Sequence, residues 1–165
     1  MKKLLWLVLF STLHTTASAA GIGVSLNGDE ETLYFPIKTG TLILEPFVSY
    51  DKTSGDLYGE GKFQALGLGI LSTSPIAENV SMYVGLRFSI ETTEVEDFGD
   101  QLEFEDQIFA PTLGAEYSPI ANFSIGIEHR INFVSSELTV DGFSGSIDGD
   151  RTFSETLAIA RIFFN

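Results

Sequence analysis

The chain has 165 residues and no cysteine, and its 23 acidic residues against 9 basic ones give a formal net charge of −14 at pH 7. This charge excludes nucleic acid as a partner, because binding to phosphates depends on clustered lysine and arginine. The lack of cysteine excludes a disulfide-stapled fold, a thiolate metal site and a thiol nucleophile.

The N-terminal segment has the three-part layout of a secretory signal. Lys2 and Lys3 give a positive start, Leu4–Phe10 is a short apolar run, and Ala17–Ala19 is a small-residue cleavage site. The apolar run is far shorter than the ~20 residues that a membrane-spanning helix needs. We therefore expect residues 1–19 to be cleaved and residues 20–165 to form one domain. Without the two lysines, the formal net charge becomes −16.

The rest of the chain alternates between apolar and polar residues with a period of two, which is typical of half-buried β-strands. Two short strands are predicted first, over Gly21–Asn27 and Glu31–Lys38, with Asn27-Gly28 as a hairpin signal between them. Six further strands are predicted at Thr41–Tyr50, Lys62–Thr73, Val80–Thr93, Gln107–Tyr117, Phe123–Val140 and Thr152–Phe164. If residues 27–39 instead form one irregular loop, the strand count becomes odd.

The two faces of these strands differ in composition. The large apolar side chains share one face, as in Val80, Met82, Val84, Leu86, Phe88 and Ile90. The other face consists of Gly, Ala, Ser, Thr and a few charges. A soluble barrel or sandwich would hold its large apolar residues inside, whereas small residues suit the narrow lumen of a small barrel. The pattern therefore favours a transmembrane barrel over a soluble one.

The connections between strands alternate in length. Short links at Ser74–Asn79 and Ser118–Asn122 alternate with longer acidic, Gly-rich stretches at Asp51–Gly61, Thr92–Asp106 and Asp141–Asp150. Short periplasmic turns and long outward loops are typical of bacterial outer-membrane barrels, which also have an even number of strands. We predict an all-β fold, an eight-stranded antiparallel transmembrane β-barrel built as an up-and-down meander.

Three short stretches carry a family resemblance: Gly114-Ala115-Glu116-Tyr117, Asn122-Phe123-Ser124-Ile125-Gly126 and the aromatic-rich Ala160–Phe164. Together with the strand pairs joined by short turns, they resemble the outer-membrane β-barrel domain superfamily, which includes opacity proteins and the barrel of outer membrane protein A. The resemblance implies this fold and an outer-membrane location in a Gram-negative bacterium, and it implies no activity. The chain ends in Asn165 and not in the family's terminal aromatic, so the assembly signal is expected one position earlier.

Charges of both signs collect at the predicted inward positions: Glu45, Arg87, Glu91, Glu116, Glu128, Arg130 and Arg161. Because a lone charge in a narrow lumen is costly, we expect these groups to pair. Strict alternation with Leu157 and Ile159 would turn Arg161 toward lipid at a cost of ~2–4 kcal/mol, so we expect a bulge that turns it inward. The cluster is interpreted as a structural plug, with a gated path for small ions, a narrow channel, as the alternative.

His129 is the one histidine after the predicted signal, and alternation places it on the outer face between Ile127 and Ile131. Lipid A deacylases are small barrels with catalytic residues on the lipid-facing wall, and their pattern has a serine two residues after the histidine. That position is Ile131 here, and the nearest serines are Ser135 and Ser136. We therefore expect no catalytic centre, and an outer-membrane lipid-modifying enzyme is the weaker alternative.

Carboxylates crowd two of the predicted loops: Glu91, Glu94, Glu96, Asp97, Asp100, Glu103, Glu105 and Asp106 in one, and Asp141, Asp148 and Asp150 in the other. Such loops are candidates for binding divalent cations, although the spacing fits no known calcium loop and a solvated acidic surface is favoured. We expect no cofactor and a monomer with a structural or surface-interaction role. The expected partners are outer-membrane lipid and lipopolysaccharide, or a host or phage surface.

Overall fold

The computed structural model describes residues 19–26, 31–55, 59–97, 100–140 and 146–164. These residues form nine strands: β1 Ala19–Ser25, β2 Glu31–Tyr34, β3 Ile37–Thr39, β4 Leu42–Gly55, β5 Gly59–Ala77, β6 Val80–Asp97, β7 Asp100–Ile120, β8 Phe123–Val140 and β9 Ser146–Phe164. Within these ranges, no helix has the length and apolar character needed to cross a membrane.

The sheet closes on itself. All pairings are antiparallel, and β1 pairs with β9 from Ala20↔Phe164 to Ser25↔Ile159. Strands β2 and β3 both lie between β1 and β4 and share one place in the ring. The nine strands therefore fill eight positions of an up-and-down barrel, which confirms the predicted fold class.

Phe35 and Pro36 separate β2 from β3, which together occupy the second place in the ring. Proline has no backbone N–H and cannot donate to a neighbouring strand, so regular pairing stops there. The backbone still bonds across the break, because Phe35 N donates to Pro46 O and Gly21 N donates to Pro36 O, both at 2.8 Å. The alternative of one irregular loop is thus wrong for residues 31–39, and residues 27–30 lie outside the described part of the chain.

The strands at one end of the barrel are longer than predicted. Residues 92–97 and 100–106 lie in a stretch that was predicted as a loop, but they are paired strand from Thr92↔Glu105 to Asp97↔Asp100. Likewise, β4 pairs with β5 as far as Gly55↔Gly59, and residues 146–150 belong to β9. The loop predictions were wrong there because high acidity concealed continued alternation.

That continued alternation has a physical basis in β-branched and aromatic side chains. Thr93, Val95, Leu102 and Phe104 fall on one face of the β6–β7 hairpin, while the intervening carboxylates fall on the other. Crossing a bilayer takes only about 9–11 tilted residues, and β7 has 21. The hairpins therefore project well beyond the length that a membrane could cover.

The opposite end of the barrel has short turns. Glu78 and Asn79 connect β5 to β6, and Ala121 and Asn122 connect β7 to β8. Asn79 has a φ of 61°, in the left-handed region that asparagine tolerates better than most residues. The two ends thus differ in the length of their connections as predicted, although paired hairpins take the place of the predicted loops at the long end.

Alternate residues along each strand point to opposite sides of the barrel wall. On β6, Val84 and Leu86 are 53% and 39% exposed on the outside, while Tyr83 and Arg87 are buried on the inside. Two apolar clusters fill part of the lumen; one contains Tyr34, Phe47, Leu157 and Ile159, and the other contains Ile43, Leu71 and Tyr83.

Strand β9 reverses one expectation. Leu157, Ile159, Arg161 and Phe163 are all buried on the lumen side, and the register with β8 runs without a shift from Ser146 to Ile162. No bulge turns Arg161 inward, so that prediction was wrong. The sequence interpretation had assigned Leu157 and Ile159 to lipid by their hydrophobicity, whereas the lumen at their height is apolar.

Glycines in the wall make room for large side chains in the lumen. A Cβ added at Gly67 would lie 2.1 Å from Cζ of Phe47, and one at Gly114 would lie 2.2 Å from Cζ of Tyr83. Both distances are far shorter than real carbon contacts. The small residues on the inner face therefore compensate for aromatic rings that cross the narrow lumen.

Substitution of Gly85 by alanine tests the pairing of β5 with β6. The new Cβ would lie 2.1 Å from the backbone oxygen of Ile70 and 2.8 Å from Cα of Leu71, and the backbone cannot rotate away. We expect Gly85→Ala to lower the free energy of unfolding by ~1–3 kcal/mol in urea titrations of the folded barrel. Gly149→Ala, where nothing lies within 4 Å, is the control and should be close to neutral. Equal effects would contradict this register.

Candidate functional site

The candidate site is a network of charges inside the barrel. Six buried side chains from five strands form it: Glu45, Arg87, Glu116, Glu128, Arg130 and Arg161. Three carboxylates face three guanidinium groups, so the formal charges cancel. This balance allows ionised groups to remain in a space from which water is largely excluded.

Arg87 lies at the centre of this network. Its Nε and Nη2 donate to the two carboxylate oxygens of Glu128 at 2.7 and 2.8 Å, a bidentate pair. Nη2 also donates to Glu45 on β4, two strands away in the ring. Because β4, β6 and β8 each contribute one of these side chains, the ion pairs extend across the lumen.

Arg161 binds the same Glu45 from β9. Its Nε donates to Oε1 at 2.6 Å and its Nη2 donates to Oε2 at 3.1 Å. Its Nη1 lies 3.6 Å from Oε2 of Glu116, which also accepts a hydrogen bond from the Ser124 hydroxyl at 3.2 Å. Glu45 therefore binds two arginines and links β4 to both β6 and β9.

Arg130 connects the network to the wider part of the lumen. Its Nε donates to Glu128, and its Nη2 donates to the Tyr34 hydroxyl at 3.0 Å. On the other side, its Nη1 lies 3.7 Å from Glu155, which also accepts a hydrogen bond from Asn132 at 3.0 Å. Arg130 thus has partners both within the network and above it.

Aromatic rings flank the guanidinium groups. The Arg87 guanidinium lies 5.1 Å from the ring centre of Tyr34 and 5.7 Å from that of Phe47, and Arg161 lies 5.3 Å from that of Tyr83. Such contacts stabilise a desolvated cation. The sequence interpretation missed all three aromatic residues as members of the site, although their inward parity on β2, β4 and β6 could have identified them.

Glu91 faces inward but does not join the network. Its carboxylate accepts a hydrogen bond from Ser89 at 3.2 Å, and no ion pair joins it to the three network arginines within the described ranges. The expectation that it pairs with them is therefore corrected. Glu91 instead lines a cavity of about 300 Å³ together with Arg87, Arg130 and Glu155. The network forms the floor of this cavity.

His129 lies on the outer surface, as predicted. Its Nδ1 lies 3.0 Å from the Thr156 hydroxyl on β9, and the next outward residue on its own strand is Ile131. The arrangement provides a hydrogen-bonded polar pair on the outer wall. The deacylase pattern would need a serine two residues after His129, and that position holds Ile131.

The acidic stretches hold no compact metal site in the part of the chain that the structure describes, since no group of three or more histidine or carboxylate side chains is placed to hold an ion. Asp106 instead accepts a hydrogen bond from Arg151 at 2.6 Å. Asp141 and the side chains of Glu96, Asp97 and Asp100 lie outside the described residues.

No protein-family model matches the chain, and no curated protein matches it in sequence. Two solved structures match it in three dimensions. Neisserial surface protein A aligns with a TM-score of 0.59 and Ail, the attachment invasion locus protein of Yersinia pestis, with 0.51. Each is 14% identical, and each match covers 88% of this chain and 94% of the other. Together with the closed ring, these likenesses show that the chain shares the antiparallel β-barrel fold of these two proteins.

Proposed function

We propose that this protein is exported to the outer membrane of a Gram-negative bacterium, where its barrel is an anchor with a closed lumen and its projecting hairpins interact with the surroundings. The observation that carries the proposal is the inverted wall, with large apolar side chains outside and the charges inside. The role is structural or surface-interacting and not catalytic.

The outer face supports a location in lipid. Val84, Leu113 and Ile127 are 53%, 49% and 62% exposed, and they belong to an apolar belt around the barrel. A continuous belt of this kind would be strongly unfavourable in water. From Tyr117 to Phe109 the belt spans roughly 20 Å along the barrel axis, near the ~25 Å apolar band of outer-membrane barrels.

The lumen network favours a plug over the narrow channel. An ion that passed through the lumen would have to separate Arg87 from Glu45 or Glu128, which are buried pairs. Separating such pairs without replacing their partners costs several kcal/mol. In this proposal the cavity above the network is a vestibule that ends at the network and does not continue through the barrel.

The projecting hairpins support a role at the cell surface. Their outer sides present carboxylates beyond the apolar belt, as at Glu103, Glu105 and Glu137. The names of the two structural neighbours, a surface protein and an attachment invasion locus protein, agree with such a role. Lipopolysaccharide, divalent cations at the acidic hairpins, and a host or phage surface are the proposed partners of a monomeric barrel.

Membrane fractionation and gel migration test the location. We expect the protein in the outer-membrane fraction, and we expect its band to shift on boiling, because a closed barrel with paired backbone groups resists dodecyl sulfate at room temperature. Recovery in the soluble periplasmic fraction, with identical migration before and after boiling, would refute the membrane proposal.

A charge on the outer wall should block insertion. Leu86 faces outward in the middle of the belt, where an arginine costs ~2–4 kcal/mol, so the yield of folded, heat-modifiable Leu86→Arg protein should fall sharply. The matched variant Ser89→Arg places the same charge toward the vestibule beside Glu91 and should insert. If Leu86→Arg inserted as well as Ser89→Arg, the proposed lipid-facing side would be incorrect.

A double-mutant cycle on Arg87 and Glu128 tests the plug. Arg87→Met alone leaves three buried carboxylates facing two arginines, so one negative charge is uncompensated, and it should cost ~3–5 kcal/mol of unfolding free energy. Arg87→Met combined with Glu128→Gln restores the balance and should cost much less than the sum of the singles. The exposed pair Lys62–Glu94, at 3.5 Å, is the control and should couple by less than ~1 kcal/mol. Additive losses at Arg87, together with ion conductance in planar bilayers, would favour the channel.

A further inference from the structure

A groove of about 740 Å³ runs across the outer surface of the barrel, over strands β5 to β9. It lies between two rows of outward side chains that follow the strand register. The rows differ in chemistry, and the groove lies where the apolar belt meets the acidic hairpins.

The first row borders the apolar belt. It consists of Leu68, Phe88, Phe109, Phe133 and Thr152, which are direct neighbours across successive strands. The ring centres of Phe88 and Phe109 are 5.2 Å apart, and those of Phe109 and Phe133 are 6.2 Å apart. This side of the groove is a continuous apolar wall that extends the lipid-facing surface.

The second row is apolar on two strands and polar on three. It consists of Leu66, Ile90, Gln107, Ser135 and Asp150, again in register. The next two rows carry five exposed carboxylates: Glu105, Glu137 and Asp148, then Glu94 and Glu103. Two basic side chains also belong to this region: Arg151 lines the groove and is paired with Asp106 at 2.6 Å, and Lys62, in the same row as Glu94, is paired with it at 3.5 Å.

We propose that this groove holds an acyl chain of a membrane lipid whose headgroup carries a protonated amine. The inference rests on the proposed membrane location. If the apolar belt lies in lipid, the groove that continues it is filled by hydrocarbon. A headgroup on that chain would lie against Asp150 and the carboxylate rows beyond it. An ammonium group complements this surface, whereas a headgroup with phosphate charge alone is repelled by it.

Brominated lipids provide the test, because bromine quenches the fluorescence of a tryptophan that it contacts. The probe is Phe109→Trp in a Trp6→Phe background, so that one indole reports from the groove. The barrel is placed in phosphatidylcholine bilayers that contain either brominated phosphatidylethanolamine or brominated phosphatidylglycerol. We expect phosphatidylethanolamine to show a relative binding constant at least about threefold higher.

Three controls locate the effect. Leu113→Trp, four residues along the same strand and within the belt, should show no preference between the two lipids. Neutralising the first acidic row by Glu105→Gln, Glu137→Gln and Asp148→Asn should remove the preference at Phe109→Trp. Glu78→Gln, at the short-turn end, should leave it unchanged. Ile90→Trp, on the opposite rim, is a second probe if Phe109→Trp does not fold.

The outcomes separate this inference from the membrane proposal. Equal quenching by the two lipids in a heat-modifiable barrel would overturn the inference and leave the membrane location standing. A preference for phosphatidylglycerol that appears with Ca²⁺ would also overturn it, because the groove would then bind phosphate headgroups through a cation. Absence of quenching at Leu113→Trp and of a heat-dependent band shift would overturn both.

Discussion

The pairing of β1 with β9 is the contact on which the rest of this structure depends. It removes the two open edges of the sheet, so the backbone groups of the wall are satisfied within the wall. Closure also turns a sheet with two faces into a wall with an inside and an outside. The small residues then line a lumen that is too narrow for all side chains to be large, and glycines such as Gly67 and Gly114 lie opposite aromatic rings.

A lumen of this size imposes its own constraint on charge. Arginines stay charged even when buried, so carboxylates must contact them directly to compensate the lost hydration, and the network does so with three groups of each sign. Because Glu45 and Glu128 each bind more than one arginine, the pairs connect β4, β6, β8 and β9 across the barrel. The same contacts that stabilise the wall from inside therefore also obstruct a path through it.

Beyond the apolar belt, the chemistry of the outer surface changes at the hairpins. Their outer faces are acidic, and their strands stay paired although they extend past the length needed for crossing. The groove between Phe109 and the carboxylate rows lies at the junction of these two environments. That junction has an apolar wall on one side and anionic side chains on the other.

The period-two pattern was sufficient to predict the all-β barrel, most strand positions and the inward orientation of Arg87, Glu128 and Arg130, because parity is a local property of an extended chain. Local pattern could not determine strand length in the acidic stretches, where carboxylates conceal the alternation. It also gave the wrong phase on β9, because Leu157 and Ile159 are apolar whether they face lipid or an apolar layer of the lumen. The separation of Glu91 from the network, the partners of Glu45 and the groove all depend on register between strands distant in sequence. Pairing of successive strands sets the register from β4 to β9, and closure of the ring brings Arg161 to Glu45.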